Sequence, residues 1–143
     1  MILHDVNIWV YAFRSDSPYF ASARRELEQL LAGGERFLFS PTVAASFLRI
    51  VTNPRIFAQA SDPAEAWKFI EALQDHPAAV YSEVDAMTFG IFKHMSLVGC
   101  ERGNAVPHAL LAALAIRYEA EFITADSGFA RFGGLRLRYI HPD

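Results

Sequence analysis

The 143-residue sequence predicts an α/β fold around a central, mainly parallel sheet of four or five strands. Short apolar runs alternate with helical patterns along the whole chain. The runs are continuous and do not alternate with polar residues, as strands covered on both faces require. No internal repeat, low-complexity tract or linker breaks the pattern, so residues 1–143 read as one domain.

The elements follow in order. "MILH" is a short buried strand ending at Asp5. "SPYFASARRELEQLLAGG" is a helix, with Pro18 expected in its first turn and Gly33-Gly34 as its stop. "RFLF" is a second strand. In "SPTVAASFLRIVTNP", Ser40 caps a helix whose first position is Pro41, and Asn53-Pro54 ends it. "SDPAEAWKFIEALQDHP" opens in the same way, with Asp62 before Pro63, and breaks at Pro77. "AAVYSEV" is a third strand and "DAMTFGIFKHMSLVGC" a helix. Apolar residues nearly surround the next helix, "NAVPHALLAALAIRYEA", which therefore lies deep against the sheet. "EFIT" is a fourth strand and "LRLRYI" a candidate fifth.

Composition excludes several classes. Hydrophobic residues make up 52% of the chain and charged residues 20%, a globular balance. Cys100 is the only cysteine, so no intrachain disulfide forms, and a reducing cytoplasm is the expected compartment. Its surroundings carry no C-x-x-C motif or triad, and it reads as a buried or incidental thiol. The apolar opening "MILHDVNIWVYAF" lacks the flanks of a signal peptide, and no stretch approaches the ~20 apolar residues of a membrane span. The net charge of −3 gives no global attraction to nucleic acid, so only local patches can serve a polyanion.

Open α/β sheets place their sites at the carboxyl ends of strands. Asp5 ends the first strand and Asp126 lies just beyond the fourth. If those strands are neighbours, two carboxylates meet, and a divalent cation would relieve their repulsion. Hard oxygens suit Mg²⁺ or Mn²⁺. Each acid alone has a plain alternative: Asp5 as a helix cap, Asp126 as an Asx-turn.

Several segments together resemble the PIN-domain toxins of the VapC type: "ILHDVNIWVYAF", "SPTVAASFLRIVTNPRIF" and "GNAVPHALLAALAIRYEAEFITADSGFARFGGLRLRYIHP". The last is similar to a block written G-N-x-V-P-D-A, then T-x-D-x-D-F-x-R-F. The resemblance implies a three-layer α/β/α PIN-like fold and a ribonuclease dependent on Mg²⁺ or Mn²⁺. It also implies a VapB-type antitoxin and a homodimer. Its acidic positions carry over in part. The first matches Asp5 and the fourth Asp126, whereas Ser46, His108 and Gly128 stand where the family usually has acids.

His108 follows Pro107 in the first turn of a helix, where the helix field disfavours an imidazolium. A neutral imidazole is expected if it faces the site. Three readings stand. His108 completes a metal set with Asp5 and Asp126, suiting Mn²⁺ or Zn²⁺ better than Mg²⁺; the site is impaired; or His108 is structural. Asn7, Asn104, Thr124, Ser127 and Ser46 are candidates to orient ligands or water, with N-capping as the alternative role of Asn104. Arg49, Arg55 and Arg131, with Arg136 and Arg138, are candidate phosphate contacts, with a solvated surface or a structural carboxylate partner as the alternative. His4 adjoins Asp5, but successive strand residues point to opposite faces, so it is not expected in the site. Trp9, Tyr11, Phe13 and Phe20 read mainly as core, with any exposed subset available to a partner. The expected activity is toxin-type RNA cleavage. A PIN-fold protein that binds antitoxin or RNA without efficient cleavage is the alternative, and a DNA nuclease a third reading.

Overall fold

The computed structural model describes every residue from Met1 to Asp143. In chain order it contains β1 (Ile2–His4), α1 (Val6–Phe13), α2 (Phe20–Gly33), β2 (Phe37–Phe39), α3 (Pro41–Val51), α4 (Pro63–Gln74), β3 (Ala79–Tyr81), α5 (Ala86–Val98), α6 (Val106–Arg117), β4 (Glu121–Thr124) and β5 (Leu137–Tyr139). Short 3-10 turns, Gly103–Ala105 and Ser127–Arg131, precede α6 and follow β4.

All five strands are parallel and form one sheet in the order β3-β2-β1-β4-β5. The order reverses between β1 and β4, which pair Ile2 with Glu121, Leu3 with Phe122 and His4 with Ile123. Their carboxyl ends therefore lie side by side at the switch point, where a crevice opens in sheets of this kind.

The continuous apolar runs become the core. Leu3, Phe37, Leu38, Phe122 and Ile123 are buried, together with Ala109 and the run Leu111–Ala115 of α6. Thirty-one buried hydrophobic residues form one cluster. Burying each large apolar side chain contributes roughly 1.5–3 kcal/mol. Trp9 and Phe13 on α1 pack edge-on against Phe47 of α3, with ring centroids 6.0 and 5.4 Å away.

Local signals explain most helix ends. The Ser40 hydroxyl accepts from Val43 N–H, and the Asp62 carboxylate accepts from Ala64 N–H, each just before a proline in the first turn. Gly34 stops α2 with φ 74°, a left-handed turn natural to glycine. Two expectations are corrected. Pro18 precedes α2, whose start is capped from 121 residues away: the Asp143 carboxylate accepts from Ala21 N–H at 2.9 Å and Ser22 N–H at 2.7 Å. Asn104 does not cap α6, because it lies inside the 3-10 turn that leads directly into that helix, and the cap position is Ala105. No helix is long and apolar enough to cross a membrane.

Candidate active site

The end of β1 turns directly into α1, and Asp5 is the turning residue. Its Oδ1 accepts from Val6 N–H at 2.7 Å, the capping role open to it, yet the same side chain is only 3% exposed at the sheet crevice. Its Oδ2 accepts a hydrogen bond of 2.7 Å from the Thr124 hydroxyl at the end of β4. Thr124 in turn accepts from Asp126 N–H at 2.9 Å and from the Asn7 amide at 3.3 Å. Asn7 Oδ1 accepts from Ala125 N–H at 3.4 Å. Asp126 closes its own Asx-turn, with Oδ1 accepting from Gly128 N–H at 2.8 Å. One buried hydroxyl thus ties the Asp5 carboxylate to the backbone of Asp126, two residues that sequence distance separates.

The electrostatics follow from that placement. Burial pushes the Asp5 carboxyl up from its ordinary range. The bonds from Thr124 and Val6, with a smaller electrostatic contribution from the His108 ring, pull it down, and the Asp126 charge raises it again. Burial likewise raises the Tyr11 phenol, helped by Tyr19, Asp5 and Asp126. Tyr11 stacks on Tyr19 with centroids 4.7 Å apart. It stands four residues beyond Asn7, so the two share the face of α1 that meets the end of β4.

His108 lies beside this cluster in the first turn of α6. Its ring packs on Phe129 with centroids 4.6 Å apart, and its Nδ1 lies 3.4 Å from the Arg131 guanidinium. Arg131 is gripped by Glu101, Nε to Oε1 at 2.8 Å and a second nitrogen to Oε2 at 3.1 Å. The guanidinium holds the Glu101 carboxyl below its usual range.

The remaining candidates separate. Ser127 is exposed, Asn104 is exposed in its turn, and Ser46 sits half-buried on α3, all outside the hydrogen-bonded cluster. Arg49 and Arg55 are exposed and form no ion pair. Arg138 is committed to Glu26 and Glu121, and Arg136 to the Glu119 carbonyl. His4 points away from Asp5, with Nε2 3.3 Å from Glu26. Cys100 is exposed and not buried. Sequence reasoning missed Glu101 as a partner of Arg131, and read Tyr11 mainly as core, against which it does pack, without its place near Asp5 and Asp126. Only the i, i+4 spacing of Asn7 and Tyr11 could have hinted at the latter.

Residues 2–135 match the PIN domain. The chain belongs to the PIN-domain family. Within it, the chain is 37% identical over 142 residues to ribonuclease VapC43 of Mycobacterium tuberculosis, covering 99% of this chain and 95% of that protein, which places it in the VapC branch. Two solved structures share the fold. One is VapBC2 from Rickettsia felis bound to a DNA fragment from its promoter, with a TM-score of 0.70 at 20% identity, over 97% of this chain and 98% of that one. The other is VapC20 of M. tuberculosis, a sarcin-ricin loop cleaving toxin, with a TM-score of 0.67 at 17% identity, over 95% and 99%.

PIN-domain ribonucleases are generally dependent on a divalent metal. Asp5 and Asp126 fit such an ion by chemistry: both offer hard oxygens, and the desolvated Asp5 carboxylate gains most from a nearby cation. The three-donor set expected with His108 is not assembled, since no three His, Cys, Asp or Glu side chains are grouped to hold a metal. The imidazole faces Arg131 and Phe129.

Proposed function

We propose that the chain is a toxin-type endoribonuclease that hydrolyses RNA phosphodiester bonds and is neutralised by a cognate VapB-type antitoxin. One observation carries the reading: the Thr124 hydroxyl joins Asp5 and Asp126 at adjacent strand ends, in a chain 37% identical to a named ribonuclease. Asp5 and Asp126 would hold Mg²⁺ or Mn²⁺, which when bound supplies charge stabilisation at phosphorus and a more acidic water. The chain's own residues do the positioning. Thr124 and Val6 orient both oxygens of Asp5, and Asn7 holds the 124–126 segment against α1. His108 stands at the rim of the site. Arg49 and Arg55, free of ion pairs, are the phosphate contacts, so RNA binding weakens with salt. A cytoplasmic homodimer is the proposed working form. Phe89, Leu97 and Val98 on α5 and Trp67 on α4 are each at least 47% exposed, apolar surface suited to a protein partner.

A second reading is supported by the missing third donor. In it, the protein binds antitoxin or RNA without efficient cleavage. RNA cleavage in Mg²⁺ or Mn²⁺ tests the first reading against Asp5→Ala. Activity that is absent, or that survives this change intact, removes it. His108→Asp separates the two: a large gain in metal affinity and cleavage marks a decayed site, whereas a loss of metal binding marks His108 as a working ligand.

A further inference from the structure

The most organised charged group beside the acid pair is the line Glu101, Arg131, His108. Glu101 is no ordinary surface acid, since its side chain is only 4% exposed. It follows Cys100, whose φ of 50° reverses the chain at the end of α5 and sends residue 101 back toward the helix. Glycines leave room at both ends of the assembly. A Cβ at Gly99 would stand 2.6 Å from Glu101 Oε1, and one at Gly128 would stand 3.0 Å from Asp126 Oδ1 and 3.2 Å from Arg131. Glu101 holds the guanidinium through two nitrogens, Gly128 O accepts from a third, and the Phe132 ring lies 4.3 Å beneath it. Such an arginine has little freedom left.

The consequence falls on His108. A guanidinium carries donors only. At 3.4 Å its approach favours the lone pair on Nδ1, which places the ring hydrogen on Nε2. Phe129 fixes the plane of the ring. An imidazole in that state has no lone pair left for a cation, but it has one N–H to offer beside two carboxylates and whatever anion they help to bind.

We infer that Glu101 and Arg131 are a positioning pair that holds the His108 imidazole with Nδ1 as acceptor and Nε2–H as donor, making residue 108 a hydrogen-bond donor to a phosphate oxygen and not a metal ligand. The identity of the anion rests on the nuclease reading; the orientation of the imidazole does not.

Nitrogen-15 spectra of the full chain, with the His108 signals assigned through His108→Gln, test this directly. Wild type shows His108 as the Nε2–H tautomer, and Arg131→Met or Glu101→Gln mixes in the Nδ1–H form. Inorganic phosphate moves the Nε2–H signal, while Mg²⁺ alone leaves both ring nitrogens where they were. Phosphate affinity falls about tenfold in His108→Asn and is largely kept in His108→Gln, whose amide reaches the Nε2 position. A dominant Nδ1–H form in wild type, a tautomer indifferent to Arg131 and Glu101, or a metal-induced shift of a coordinated ring nitrogen overturns the inference. If neither variant folds, the wild-type spectrum alone decides. These readouts need no RNA and no turnover, so their outcome is independent of whether the chain cleaves RNA.

Discussion

Glu26 gives the most quantitative forecast. It lies 8% exposed beneath β1 and β5, with His4 Nε2 3.3 Å away and two Arg138 nitrogens at 2.7 and 3.0 Å. Burial pushes its carboxyl up, but bonds and charge from His4 and Arg138 outweigh burial and bring it from 4.5 to about 2. That displacement corresponds to about 3 kcal/mol at full weight. The Arg138 side chain is 44% exposed, so solvent screens the pair and about 2 kcal/mol is the reasonable share. The sign follows from proton linkage. The carboxyl is depressed in the folded state, so its contribution is complete above 4.5 and is lost as pH falls toward 2. Glu26→Gln should therefore lower stability by about 2 kcal/mol at neutral pH, about 6 °C in Tm for a chain of this length. The gap between variant and wild type should close across the acid window. Circular-dichroism melts at stepped pH measure both. Equal Tm at neutral pH, or parallel acid curves, would refute the reasoning. The effect reaches the site as well, because His4 immediately precedes Asp5, and cleavage should fall along with the loosened strand end.

Other outcomes follow from the same geometry. Thr124→Val removes the hydroxyl shared by Asp5, Asp126 and Asn7; it should cost about 2 kcal/mol in urea unfolding and most of the cleavage activity, with Thr124→Ser restoring both. Asp5→Asn should abolish cleavage yet raise Tm in chelator. The Asp5 carboxyl is raised by burial, so the native state holds its proton more firmly and stability falls as pH rises through that range; Asn escapes this penalty. Asp143→Ala should lose the borrowed cap of α2, seen as a small drop in thermal midpoint, and leave cleavage per folded molecule unchanged.

Much of this was legible in the chain itself, for local reasons. Continuous apolar runs marked β1, β2 and β4, and Ser40-Pro41 and Asp62-Pro63 announced their helices through capping chemistry that needs no tertiary partner. Asp5 and Asp126 stood out as acids at strand ends, but their meeting was conditional on strand order, which the β1–β4 pairing supplies. Where long-range partners decide, the local reading failed. Asn104 has the right side chain for a cap, yet the 3-10 turn carries the backbone past it. For Arg138 the sequence left phosphate contact, solvated surface and carboxylate partner open; the last holds, but Glu26, 112 residues away, could not be named as that partner. Glu101 carried no signal at all, since its meaning depends on the reversal at Cys100.

The strand order also bears on the order of synthesis. Residues 1–98 contain every strand on one side of the switch point and Asp5, but neither Thr124 nor Asp126. A ribosome that has translated that much has produced half a cleft. Only when β4 emerges and docks beside β1 does the Thr124 hydroxyl link the Asp5 carboxylate to the Asp126 backbone. A chain built this way cannot assemble the Asp5–Thr124–Asp126 cluster until its last quarter is made.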